Sequence, residues 1–101
     1  MIKTLSLNDV ADIVESIRKK LSGKALEAYV FGSIVDGFGV TDESDLDLLI
    51  VPKEKVDWFE LLEDEMISLL NLGIVLHLHI AKNESYRRIL EIAKARGVKL
   101  V

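Results

Sequence analysis

Two acidic residues one position apart, Asp45 and Asp47, sit inside the run Ser44-Asp45-Leu46-Asp47-Leu48-Leu49-Ile50-Val51. In a β-strand, residues i and i+2 point to the same face about 6.5–7 Å apart. Both carboxylates can therefore address one metal site while Leu46, Leu48 and Ile50 pack behind them. Upstream, Ala28-Tyr29-Val30-Phe31 reads as a buried strand ending at Gly32-Ser33, where the chain must turn tightly and can open a short helix. Free amides at a helix start attract phosphate. A phosphate grip next to a carboxylate pair suggests chemistry on a nucleotide.

The elements that must position these groups follow from periodicity. Leu7, Val10, Ala11, Val14, Ile17 and Leu21 form the stripe of a helix over 7–21, with Ser6 and Asp9 as its capping pair and Gly23 as its stop. Pro52 ends the acidic strand because it has no amide hydrogen. A second amphipathic helix is expected over 54–70, with Phe59, Leu62, Met66, Leu69 and Leu70 inward and Glu60, Glu63, Asp64 and Glu65 on a solvated outer face. Trp58 is placed in the partial core.

Ile74 to Ala81 then alternates, with Leu76, Leu78 and Ile80 on one face and His77 and His79 on the other. If this strand neighbours the acidic one, both apolar faces pack on helices and both polar faces meet. A last helix over 84–96 takes Asn83 as its cap and Tyr86, Ile89, Leu90 and Ala93 as its stripe, and residues 98–101 add a short edge strand. The resulting fold class is α/β (α+β): a small mixed sheet with helices packed on one face and a site on the other.

Gly32-Ser33, eleven residues, then Asp45-Leu46-Asp47-Leu48, with Phe31 in front and Ser44 completing Ser-Asp-x-Asp, resembles the signature of the DNA polymerase beta-like nucleotidyltransferases. The closest resemblance is to the minimal nucleotidyltransferases, small stand-alone versions of the catalytic palm. It implies that Gly32, Ser33 and Ser44 serve nucleotide binding, that Asp45 and Asp47 ligate Mg²⁺ or Mn²⁺, and that a nucleoside triphosphate, with ATP as the default, donates a nucleoside monophosphate to a hydroxyl.

Two positions depart from the family pattern. Where many members carry Arg after the Gly-Ser turn, this chain has Asp36, which either brings negative charge to the phosphates or simply points outward. The third metal carboxylate of the family falls on the histidine strand, at His77. Four readings of the histidines stand open: structural residues with no role, softer ligands replacing the third acid, a general base, or the mark of a site that binds nucleotide without catalysis. His77 is carried as a catalytic candidate.

Composition bounds the alternatives. The length of 101 residues suits one domain, 1–101, and 50% hydrophobic residues argue against disorder. A formal charge of −4 disfavours a nucleic acid partner, which calls for a basic face. With no cysteine, neither a disulfide framework nor a thiolate zinc site can form. No apolar run reaches the ~18 residues of a membrane span, so a cytoplasmic setting is expected. The acceptor must come from a partner, a second copy in a homo-oligomer, or free solution. In the family, relatives pair with HEPN-type all-α proteins as toxin and antitoxin, which makes an antitoxin-type interaction module with a helical partner the alternative function.

Overall fold

The computed structural model describes residues 10–32, 44–82 and 86–101. Eight elements follow in order: α1 (Ala11–Leu21), β1 (Ala25–Phe31), β2 (Ser44–Pro52), α2 (Trp58–Leu61), α3 (Glu63–Asn71), β3 (Ile74–Ile80), α4 (Arg87–Arg96) and β4 (Val98–Lys99). The four strands make one mixed sheet in the order β3-β2-β1-β4. The β1–β2 and β1–β4 pairs are antiparallel, and β2–β3 is parallel. The mixed sheet with helices packed on it is thus the observed architecture. Among the described residues no helix is long and apolar enough to cross a membrane.

Strand alternation sorts the two faces. Leu46, Leu48 and Ile50 of β2 join Ala28 and Val30 of β1 and Leu76 of β3 in one core, closed by Ile17 and Leu21 of α1, Trp58 of α2, Leu62, and Leu69 of α3. Leu46, Leu48 and Ile50 are fully buried; each such aliphatic chain contributes about 1.5–3 kcal/mol relative to exposure. On the opposite face, Tyr29 and Leu49 are covered by Ala93 of α4, with Tyr86, Ile89 and Leu90 packed alongside. The expected α4 stripe therefore forms, but it lies on the face that carries Asp47. Among the described residues, α4 roofs one end of this face and no helix covers the acidic end.

The helix expected over 54–70 is two helices. Asp57 caps α2, its carboxylate accepting the Glu60 amide at 3.1 Å, and Leu62 stands between α2 and α3. The buried stripe is Trp58, Leu62, Glu65 and Leu69, spaced 4, 3 and 4 as on one helix face. Phe59 and Leu70, expected inward, are 60% and 62% exposed.

Glu65, expected on the outer face, is buried against α1. It accepts Ser16 Oγ at 2.7 Å and Lys20 Nζ at 2.8 Å, and Lys20 also donates to the Leu61 carbonyl at 3.1 Å. Burial pushes the Glu65 carboxyl up, and the Lys20 and Ser16 hydrogen bonds outweigh it, leaving the group below its ordinary value. The same hydrogen bond holds Lys20 above its own. In α1, Val10, Ile17 and Leu21 are buried while Ala11 is exposed. The expected Ser6–Asp9 cap, Ser33, Asp36 and the Asn83 cap lie outside the described residues.

Candidate functional site

β2 is the backbone of the site. Its antiparallel register with β1 sets Phe31 opposite Asp47, and its parallel register with β3 sets Val75 beside Asp45, His77 beside Asp47 and His79 beside Leu49. The i,i+2 spacing of each pair then puts two carboxylates and two imidazoles on one face. They meet as two acid–imidazole pairs. His79 Nε2 lies 3.0 Å from Asp47 Oδ1, a hydrogen bond, while His77 Nε2 stands 3.5 Å from Asp45 Oδ1. The inner pair is the more shielded: the Asp47 and His79 side chains are 22% and 30% exposed, against 53% and 49% for Asp45 and His77.

Gly32 leaves β1 with φ +110°. A Cβ built there would stand 2.6 Å from Asp47 Oδ2 and 3.2 Å from the Asp45 carbonyl. Only glycine both accepts this backbone conformation and leaves room for the carboxylate. The turn and the acid pair are thus one steric unit, with Asp47 Oδ2 lying over the glycine. Phe31, just before it, tilts against the His79 ring, with centroids 5.6 Å apart and planes at 37°. The far end of the face is closed by α4, where burial and the bond to Glu27 Oε1 at 2.7 Å push the Tyr29 phenol up.

Of the residues singled out from the sequence, Asp45, Asp47, His77 and Gly32 come together here. Ser44 opens β2 beside Ile74, and Ser33 lies outside the described residues. Sequence reasoning named His79 only together with His77 and gave it no position. The available signal was its place two residues on, at the roofed end of the same face.

Among the described residues, no three of His, Asp and Glu converge to hold an ion unaided. The donor set still fits a hard divalent cation, because Mg²⁺ usually takes one or two carboxylates, keeps several waters, and fills its shell with substrate phosphates. Hard oxygen donors on an open face can hold such an ion once a phosphate chain is present.

The comparison with known families agrees with this chemistry: the family model described as "Nucleotidyltransferase domain" matches residues 10–100. No curated protein matches the chain.

Proposed function

Because the chain belongs to the nucleotidyltransferase domain family, we propose that it binds a nucleoside triphosphate, ATP by default, with Mg²⁺ or Mn²⁺ and passes the nucleoside monophosphate to a hydroxyl acceptor. The observation that carries this reading is the single steric unit of Gly32 and Asp47, with Asp45 beside it on the open face. When bound, the divalent ion neutralises phosphate charge and brings the triphosphate to the carboxylates.

The chain supplies the rest. Asp45 and Asp47 would hold the ion, and Gly32 and Ser33 would bind the β- and γ-phosphates. Ser44 adjoins them at the head of β2. His77, paired with Asp47 in register and half exposed, would either complete the ligand set in place of the third acid or take the acceptor proton; imidazole can do either. The acceptor oxygen forms its bond to the α-phosphorus as the α–β bridging bond breaks, and pyrophosphate leaves with that electron pair. A single domain working in the cytoplasm belongs to the same reading.

The test is calorimetric titration of ATP, GTP, CTP and UTP in Mg²⁺ or Mn²⁺ into the wild-type chain and the Asp45→Asn/Asp47→Asn variant. Metal-dependent binding to the wild type, lost in the variant, is expected. No binding with either metal, or equal binding by the variant, would overturn the proposal.

One observation favours the second reading, an antitoxin-type module paired with a helical HEPN-type protein. Phe59, Ile67, Leu70 and Val75 are exposed and line a groove of about 470 Å³ whose other lining residues include Asp57, Glu60 and Glu63. An apolar groove edged with carboxylates suits an amphipathic helix with basic flanks.

A further inference from the structure

The two histidines are not equivalent, and the transfer reading uses only the one beside Asp47 in register. We infer that His79 is the positioning residue of Asp47: it fixes the carboxylate by one oxygen so that the other is the oxygen offered to the ion. The inference rests on the proposed metal-and-nucleotide site and assigns a residue which that reading leaves without a task.

Three observations carry it. First, the two oxygens of the Asp47 carboxylate have different surroundings. Oδ1 is 3.0 Å from His79 Nε2, and Oδ2 occupies the space that a side chain at position 32 would fill. With Oδ1 on His79, Oδ2 is the oxygen that faces Gly32. Second, the imidazole is itself held. Its ring rests against Phe31, and its register neighbour Leu49 is fully buried beside Ala93 of α4. Third, the two pairs differ in distance and exposure: His77 and Asp45 are half exposed and 3.5 Å apart, against 3.0 Å for the more shielded pair of His79 and Asp47.

The bond also fixes the imidazole chemistry. A carboxylate only accepts, so in this pair Nε2 is assigned as the donor to Oδ1 and is engaged there rather than with a cation. His79 therefore acts through Asp47. Groups hydrogen-bonded to a metal ligand orient it and raise its affinity, and their removal typically costs about 10–100-fold in metal binding.

The experiment is paramagnetic-resonance titration of the full chain with Mn²⁺ in the presence of ATP, for wild type, His79→Leu, His79→Gln and Asp47→Asn, with thermal unfolding to show that each variant is folded. Leu keeps the packing against Phe31 and removes the donor. Gln restores an N–H at similar reach. His79→Leu is expected to weaken Mn²⁺ by about 10–100-fold, His79→Gln to recover most of that loss, and the nitrogen hyperfine coupling of bound Mn²⁺ to be the same in wild type and His79→Gln.

Unchanged Mn²⁺ affinity in His79→Leu, with binding abolished in Asp47→Asn, would overturn this inference and leave the transfer reading standing. Loss of a nitrogen coupling in His79→Gln would make His79 a ligand and overturn it too. Failure of the wild type to bind Mn²⁺ with ATP present would remove the metal site on which both rest.

Discussion

Gly32→Ala separates backbone strain from site chemistry, because the fold provides a matched control. Gly32 and Gly73 both have positive φ, +110° and +81°. An added Cβ at Gly73 meets nothing within 4 Å, whereas at Gly32 it meets Asp47 Oδ2 at 2.6 Å. Forcing an L-residue into the left-handed region costs about 1–2 kcal/mol at either position, and the loss of unfolded-chain freedom is common to both. The extra term at Gly32 is set by what Asp47 does. Its oxygen is the end of a short side chain and can swing away, so the increment is the lost bond to His79 rather than a steric wall. A hydrogen bond to a charged group contributes about 1.5–3 kcal/mol; this pair is partly open to water, so about 1–2 kcal/mol is expected. Gly32→Ala should therefore destabilise by about 2–4 kcal/mol and Gly73→Ala by about 1–2. At about 4–8 °C per kcal/mol for a domain of this size, the two melting temperatures differ by at least ~4 °C. Thermal unfolding of both variants beside wild type is the assay, with Mn²⁺ titration of the folded proteins as its companion. Equal melting temperatures together with undiminished Mn²⁺ affinity in Gly32→Ala would refute the coupling of turn and carboxylate.

The remaining predictions concern the scaffold. Because Glu65 sits below its ordinary value of 4.5 in the folded chain, its contribution is present above about pH 4.5 and is lost as pH falls through the depressed folded value. Glu65→Gln should cost about 1–2 kcal/mol at pH 7, the low end for a charged hydrogen bond because Lys20 is partly exposed and screened. Denaturant midpoints should converge with those of wild type as pH drops below that range; a gap that stays constant with pH would count against the ion pair. On the basic side Lys20, raised from 10.5, contributes below that pH and loses its effect as pH climbs through the higher folded value. The neighbours Leu69 and Leu70 test the phase of α3. Leu69→Ala, at a fully buried position, should cost about 2–5 kcal/mol. Leu70→Ala, 62% exposed, should stay within about 0.5 kcal/mol. Similar chemical-denaturation losses for the two would mean that the stripe has been misplaced.

The strands that carry the site were legible because alternation is a strict code. Asp45/Asp47 against Leu46/Leu48, and His77/His79 against Leu76/Leu78, fix which atoms share a face as soon as the strands pair. Helix phase was less legible. Counting apolar residues assigns Phe59 and Leu70 inward, but the buried stripe is Trp58, Leu62, Glu65 and Leu69, which gives an inward place to an acid. Glu65 looked like one more surface acid because its partners, Ser16 and Lys20, come from a different helix. The Asp47–His79 bond is likewise a long-range fact, since its two residues are 32 positions apart. Spacing named the acids, and only the parallel register divided the histidines between them.

That separation also orders events during synthesis. β2 can pair with β1 as soon as both have left the ribosome, but the parallel partner β3 waits for α2 and α3. At about 5–20 residues per second the acids precede the imidazoles by roughly 2–6 s. For those seconds the edge of β2 that β3 will cover stays unpaired and Leu46, Leu48 and Ile50 lack their full cover, an arrangement prone to pairing with another nascent chain. The carboxylates meanwhile stand without His79, so a chain interrupted before β3 carries the motif and none of its alignment. The arrival of one strand closes the sticky edge and sets the site together.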